Sequence, residues 1–140
     1  ITPAPTTVEQ YSRLFLSQIR EKDIERRRFR VVVDYAYSGI ATVLPEILGR
    51  LGCDVVALNA YTDWRRKPQN AEDRQAMIGN LADVVRTLKA DLGVLFYSNG
   101  ERLELVDEQG QTLYGARLLA TLASLVAQTR PGSRIAAPVT

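Results

Sequence analysis

The residues whose types and spacing could support chemistry are concentrated in one stretch, residues 91–107. An apolar run predicts a strand, a tight polar loop follows, and a second apolar run predicts a strand that returns beside the first. The loop contains Ser98, Asn99, Glu101 and Arg102. If this chain carries out chemistry, we expect it at this loop.

Other catalytic arrangements have less support. The chain contains no histidine, which removes the commonest general base and excludes Ser/His and Cys/His catalysis. Asp34 ends a predicted strand, but Ala36 stands two positions later, so the Asp-x-Asp pair of some phosphoryl-transfer enzymes is absent. We interpret Asp34 as a structural or loop-capping residue. Cys53 lies beside an apolar strand, which favours a packing role.

Composition limits the class of protein. A chain of 140 residues with 46% hydrophobic and 24% charged residues is typical of one globular domain. The net charge of +2 is too balanced to favour a nucleic-acid partner. No apolar run approaches the roughly 20 residues that span a bilayer, so we expect no membrane partner. The single cysteine suits the reducing cytoplasm. Because the chain begins with Ile1, we expect it to be a piece of a longer protein.

Apolar periodicity predicts alternating helices and strands. In order, these are a helix over 7–26, a strand over 29–34, a helix ending at Gly52, a strand over 54–58, a helix over 71–90, the two hairpin strands, a helix over 115–129 and a strand over 135–139. Strands separated by helices pair in parallel, whereas hairpin strands are antiparallel. We therefore predict a three-layer α/β/α sandwich with a mixed sheet of about four strands, ending in an antiparallel edge, plus a C-terminal helix and strand. Ligands of such sheets bind beyond the carboxyl ends of the parallel strands.

Two features leave alternatives open. If Thr42 caps the second helix, Pro45 lies in its first turn and disrupts no helical hydrogen bond. If the helix starts at Ser38, Pro45 should kink it. Trp64, which stands beside the cations of residues 65–67, either forms a binding surface or packs back on its own domain.

Several linked segments resemble the second domain of the α-D-phosphohexomutases, the phosphomannomutase and phosphoglucomutase family. They are VVVDYA (31–36), SG (38–39), VLPEIL (43–48), LGCDVVALN (51–59), LKADLGV (88–94), RLELVDEQG (102–110, except at positions 104 and 109) and ARLLA (116–120). The resemblance covers roughly residues 8–139 and implies the strand order 2-1-3-4, with strand four antiparallel. It also implies domain II over 7–113 and the start of domain III over 114–140. Residues 1–6 are rich in Pro and Thr, which predicts a linker.

In that family the hairpin loop reads Asp-Gly-Asp-Gly-Asp-Arg, and its three aspartates hold a Mg²⁺ ion that faces a phosphoserine from the first domain. The resemblance places Tyr97, Asn99 and Glu101 at the aspartate positions, so the ligand charge falls from −3 to −1. Because cation affinity depends on ligand charge, we expect no Mg²⁺ here and no other cofactor. Arg102 is retained, and it either contacts the phosphate of a hexose phosphate or pairs with Glu101 or Glu104.

The family's serine nucleophile lies in domain one and its phosphate-binding loop in domain four, so the resemblance implies no catalytic residue here and an inactive fragment. The leading hypothesis is a non-catalytic structural or sugar-phosphate-binding module of a phosphomannomutase/phosphoglucomutase-like protein. Such a module can be appended to a sugar-1-phosphate nucleotidyltransferase such as mannose-1-phosphate guanylyltransferase.

Two other hypotheses remain. The first is a domain of an active hexose phosphomutase, an intramolecular phosphotransferase, whose altered loop still holds a cation through Asn99 and Glu101. The second is an unrelated α/β binding module. The expected partners are other domains of the parent chain and a hexose phosphate. The apolar segment 134–139 should pair either with an edge of this sheet or with a second copy of the chain.

Overall fold

Five strands form one mixed sheet at the centre of the computed structural model, which describes residues 5–63, 65 and 69–136. The strands are β1 (Arg30–Asp34), β2 (Asp54–Leu58), β3 (Leu92–Phe96), β4 (Leu103–Asp107) and β5 (Thr112–Leu113). Their order across the sheet is β2-β1-β3-β4-β5. β1 pairs in parallel with β2 and β3, whereas β3, β4 and β5 pair antiparallel. The predicted order of the first four strands and the antiparallel fourth strand are confirmed.

Five α-helices accompany the sheet within the described residues. They are α1 (Pro5–Leu16), α2 (Glu21–Glu25), α3 (Leu44–Arg50), α4 (Ala71–Leu88) and α5 (Gly115–Thr129), and a short 3-10 turn (Gly39–Thr42) precedes α3. None of these helices has both the length and the apolar character that crossing a lipid bilayer requires.

Both faces of the sheet are apolar, as expected for strands enclosed between helices. On one face, Val32 and Val106 pack with Leu81 and Val85 of α4. On the opposite face, a second cluster that includes Val31, Val33 and Tyr35 packs with residues of α3. The two clusters follow from strand alternation, because successive side chains point to opposite faces. The predicted three-layer architecture is confirmed.

The first predicted helix, over 7–26, is wrong as a single element. It is two helices, α1 and α2, because the pattern of backbone hydrogen bonds changes after Leu16. Gln18 N donates to Phe15 O at 3.1 Å and Ile19 N donates to Leu16 O at 3.1 Å, which are i→i−3 bonds that tighten and end the helix. The helix also begins earlier than predicted, so residues 5 and 6 of the predicted linker are helical, and residues 1–4 lie outside the described residues.

Pro45 lies in the first turn of α3, where its missing N–H removes no helical hydrogen bond. The helix starts after Ser38, so the alternative in which Pro45 kinks a longer helix is wrong. The preceding residue is Val43 rather than the expected Thr42 cap. The Thr42 hydroxyl instead donates to Gly39 O at 2.7 Å and closes the 3-10 turn.

Two differences lie after the hairpin. β5 was not predicted, and it extends the sheet by pairing Leu113 with Leu105. The strand predicted over 135–139 is absent at residues 135 and 136, which have no regular secondary structure, and residues 137–139 lie outside the described residues.

Candidate functional site

The loop between β3 and β4 is closed by its own backbone. Tyr97 N donates to Arg102 O at 2.9 Å, and Gly100 N donates to Tyr97 O at 2.8 Å. Gly100 has a φ of +71°, in the left-handed region that a residue without a Cβ adopts at low cost. The loop is therefore a tight turn at the carboxyl end of β3.

Asn99 and Glu101 form two hydrogen bonds with each other in this turn. Glu101 N donates to Asn99 Oδ1 at 3.1 Å, and Asn99 Nδ2 donates to Glu101 Oε2 at 3.0 Å. The donor end of the Asn99 amide thus meets the Glu101 carboxylate, whereas cation binding would require their oxygens to converge.

A partly buried polar cluster, which we call the Tyr97–Glu104–Arg74 cluster, lies behind the loop. The Tyr97 hydroxyl donates to Glu104 Oε1 at 2.9 Å, and Arg74 Nε lies 3.1 Å from the same oxygen. The Arg74 guanidinium also lies over the Tyr97 ring, with Cζ 5.7 Å from the ring centroid. The Glu104 side chain is only 9% exposed. A carboxylate buried to this degree requires both a cation and a donor.

The pKa of Tyr97 is raised above its ordinary value. Burial is the largest cause, and the hydrogen bond to Glu104 and the charge of Glu104 raise it further, while the cations Arg74 and Arg102 oppose the rise. The phenol therefore keeps its proton at neutral pH and remains a hydrogen-bond donor to Glu104. The donor set of the loop, a phenol, an amide and one carboxylate, does not fit the three-aspartate arrangement implied by the resemblance.

Arg102 is exposed at the rim of the loop. The four ion pairs among the described residues do not include it, and the cation paired with Glu104 is Arg74 instead. The alternative in which Arg102 pairs with Glu101 or Glu104 therefore does not match the geometry. The charge of Arg102 acts to lower the pKa of Tyr97, against the larger effect of burial.

Asp34 holds the neighbouring loop after β1. Its carboxylate accepts from Ala36 N at 2.9 Å and from Asn59 Nδ2 at 3.0 and 2.9 Å, and its side chain is buried. The Asn59 amide thus ties the end of β2 to the end of β1. The predicted loop-capping role of Asp34 is confirmed by these bonds.

Tyr35, which follows β1, and Cys53, which precedes β2 at the opposite end of the sheet, both pack into the core. The Tyr35 ring is fully buried and stacks on Phe96 at a centroid distance of 6.3 Å. Cys53 is partly buried beside α3, and burial raises the pKa of its thiol, which disfavours the reactive thiolate. Trp64, with two of the cations that follow it, lies outside the described residues.

Sequence reasoning named Glu104 only as one candidate partner of Arg102, and it did not identify Arg74 as part of the site. One signal was available, because Glu104 alternates with Leu103 and Leu105 and therefore shares the covered face of β4 with buried Val106, where a charge needs a partner. The start of α4 is also fixed by a capping box in which Asn70 Oδ1 accepts from Asp73 N at 2.7 Å. This cap sets the position of Arg74, one residue further on.

The fold and the hairpin loop define a phosphohexomutase-type α/β/α domain. The family described as "Phosphoglucomutase/phosphomannomutase, alpha/beta/alpha domain II" matches residues 9–110. The chain belongs to this family, which confirms the resemblance found in the sequence.

Similar proteins support the same assignment. A phosphoglucomutase/phosphomannomutase of Thermococcus kodakarensis is 29% identical over 125 residues, covering 89% of this chain and 27% of that protein. A phosphomannomutase/phosphoglucomutase of Pseudomonas syringae pv. tomato is 32% identical over 124 residues, covering 86% and 26%. The crystal structure of a phosphoglucomutase/phosphomannomutase family protein from Burkholderia thailandensis has a TM-score of 0.72 at 23% identity, covering 89% and 27%. The chain spans about a quarter of the length of the curated relatives it matches.

Proposed function

We propose that this chain is a non-catalytic domain II of a phosphomannomutase/phosphoglucomutase-like protein, with a hairpin loop that holds no Mg²⁺. The observation that carries the proposal is the Tyr97–Glu104–Arg74 cluster, in which a protonated phenol occupies the first metal-ligand position and donates to a buried carboxylate. A cation at this position would have to replace the phenol proton and break that hydrogen bond. The raised pKa of Tyr97 opposes this replacement.

The other two loop positions support the same conclusion. Mg²⁺ requires oxygen ligands in near-octahedral array and gives up its waters reluctantly, so its sites depend on several carboxylates. Here Glu101 is the loop's one carboxylate, and one of its oxygens accepts a hydrogen bond from Asn99. The loop is stabilised by these internal bonds, which is the arrangement expected of a structural turn.

A residual function of this edge is to bind the phosphate group of a hexose phosphate. Arg74 uses Nε for Glu104 and keeps its terminal Nη donors, and its side chain is 36% exposed. Arg102 is exposed, and its backbone carbonyl accepts from Tyr97 N at 2.9 Å. Guanidinium groups bind phosphate oxygens through charge-assisted, often bidentate hydrogen bonds.

The proposal places this domain beside other domains of a longer protein of cytoplasmic sugar-phosphate metabolism. The relatives that the chain matches are about four times its length, which supports a multidomain parent. Fusion to a sugar-1-phosphate nucleotidyltransferase such as mannose-1-phosphate guanylyltransferase is the setting we propose. Within such a protein the domain would maintain the architecture and bind hexose phosphate without transferring phosphate.

A metal titration tests the non-catalytic proposal. The chain should melt at the same temperature with and without millimolar Mg²⁺ or Mn²⁺. A site filled at 100 times its Kd would add about 2.7 kcal/mol, which raises Tm by several degrees in a chain of this size. A rise of that size, lost in Glu101→Gln, would instead support the domain of an active phosphomutase with an altered metal loop.

A separate titration tests phosphate binding. Mannose 1-phosphate, with inorganic phosphate in parallel, should shift the amide resonances of the β3–β4 loop, and Arg102→Ala should remove the shifts. Arg86→Ala is the matched control, because Arg86 pairs with Asp83 one helical turn away on α4. Shifts that persist unchanged in Arg102→Ala would exclude this residue as the phosphate contact.

A further inference from the structure

The loops after β1 and β3 diverge at the carboxyl end of the sheet. These two strands are neighbours, but the chain continues from β1 towards β2 on one side and from β3 towards β4 on the other. Ligands of open α/β sheets bind in the crevice that such a reversal leaves. The β3–β4 loop with Arg102 forms one wall of this crevice, and the loop after β1 with Tyr37 forms the other.

Tyr37 joins its wall of the crevice to the loop after β2. Tyr37 N donates to Asn59 O at 3.1 Å, and Asp63 N donates to Tyr37 O at 3.3 Å. The Asn59 side chain is in turn bonded to the buried Asp34 carboxylate. These hydrogen bonds fix the position of Tyr37 relative to the ends of both β1 and β2.

The backbone of these two loops is strained. Ala36, Tyr37 and Asn59 have φ values of +50°, +60° and +50°, and they are three of the five non-glycine residues with a left-handed backbone in the described part of the chain. A bulky residue adopts this conformation only where the surrounding structure imposes it, and such positions cluster at ligand sites. The bonds to the β2 loop therefore hold Tyr37 in a conformation that its side chain disfavours.

This backbone places a pair of tyrosine rings beside the crevice. The Tyr37 and Tyr61 rings meet edge to face, with centroids 4.8 Å apart and an interplanar angle of 76°. Tyr37 is half-buried, whereas Tyr61 is 63% exposed. The contact between the rings fixes the orientation of Tyr61 and leaves most of its surface open to a ligand.

The two walls of the crevice suit the two ends of a hexose phosphate. The C–H groups of a sugar ring carry a small positive charge and pack against the negative face of an aromatic ring. We propose that the Tyr61 ring, held by Tyr37, packs against the sugar ring of a hexose phosphate whose phosphate is bound at Arg102. Neighbouring strands lie about 4.8 Å apart, so the tyrosines stand roughly 5–10 Å across the sheet from the β3–β4 loop, which one hexose phosphate can span. The inference rests on the proposed phosphate-binding function and adds the contact that recognises the sugar.

Calorimetric titration of the 140-residue chain with mannose 1-phosphate and with inorganic phosphate separates the two ends of the ligand. Mannose 1-phosphate should bind more tightly than inorganic phosphate. Tyr61→Leu should raise the Kd of mannose 1-phosphate about threefold to tenfold, as expected for the loss of one aromatic contact, and should leave the Kd of inorganic phosphate unchanged. Because Tyr61 is exposed, this variant should fold as the wild type does. Tyr61→Phe keeps the ring and should keep the wild-type affinity.

Tyr114→Leu is the matched control and should change neither affinity, because Tyr114 is also 63% exposed but follows β5, at the opposite edge of the sheet from β2. Mannose 1-phosphate that binds no more tightly than inorganic phosphate, or equally well to Tyr61→Leu, would overturn the sugar contact while the phosphate site stands. An equal loss in Tyr61→Phe and Tyr61→Leu would assign the contact to the hydroxyl and refute the stacked ring. If neither probe binds, the proposed phosphate-binding function fails together with this inference.

Discussion

Replacing Arg74 with methionine should destabilise the fold by about 1.5–3 kcal/mol. Removing one partner of a fully buried ion pair costs about 3–5 kcal/mol, and the 36% exposure of Arg74 reduces that cost because water screens the remaining charge. Methionine keeps much of the apolar stem of arginine, so most of the loss is electrostatic. The carboxylate of Glu104 would remain buried with only the Tyr97 hydroxyl as donor.

Urea unfolding of four proteins measures this coupling: the wild type, Arg74→Met, Glu104→Gln and the double variant. In the Glu104→Gln background, the loss of unfolding free energy caused by Arg74→Met should fall by at least half, because the buried carboxylate that Arg74 compensates is no longer present. Arg86→Met is the control, since its ion pair with Asp83 is exposed on both sides and such pairs contribute about 0–1 kcal/mol. If Arg74→Met costs no more than Arg86→Met, or if the two cluster substitutions add independently, the cluster does not stabilise the site as argued.

Three further outcomes follow from the packing and the titration. Gly93→Ala should lower the free energy of unfolding by about 1–3 kcal/mol in urea melts, because a Cβ would lie 2.7 Å from Val85 Cγ2. Asn70→Ala should cost about 1 kcal/mol by the same measurement through loss of the α4 cap, whereas Asn70→Asp should largely preserve it. Because folding raises the pKa of Tyr97, this phenol ionises at a lower pH in the unfolded chain than in the folded one. The stability contributed by protonated Tyr97 is therefore complete below about pH 10 and is lost as pH rises through the folded pKa. Alkaline unfolding curves of Tyr97→Phe should therefore fall less steeply than those of the wild type, and equal slopes would contradict the assignment.

The sequence was sufficient for the central sheet because its strands are short, apolar and bounded by clear breaks. It was insufficient for the break between α1 and α2. Ile19 continues the helical spacing of apolar residues after Leu16, and it packs against the same cluster, formed with Ile47 and Leu51, although it lies beyond the end of the helix. Periodicity records which residues are buried, and here the buried positions continue after the helix has ended.

The short strand β5 was missed for a different reason. Two residues, Thr112 and Leu113, cannot establish an alternating pattern. Their pairing depends on the preceding turn, where the Asp107 carboxylate accepts from Gln109 N at 3.0 Å and Gln111 N at 2.7 Å. An aspartate that starts such a turn is a recognisable local signal, but the strand that follows it is fixed by contact with β4.

The altered loop could be located from the sequence because its residues are adjacent in the chain, but the Tyr97–Glu104–Arg74 cluster could not. Arg74 reaches Glu104 only because α4 packs across β4. The hydrogen bond and the ion pair meet on one oxygen of Glu104, so the residue at position 97 is coupled to those at 74 and 104. An aspartate at position 97 would replace the donor to Glu104 with a second carboxylate, and two like charges near one buried site repel. The ability of this loop to hold a cation therefore depends on Arg74 and Glu104 as well as on its own residues.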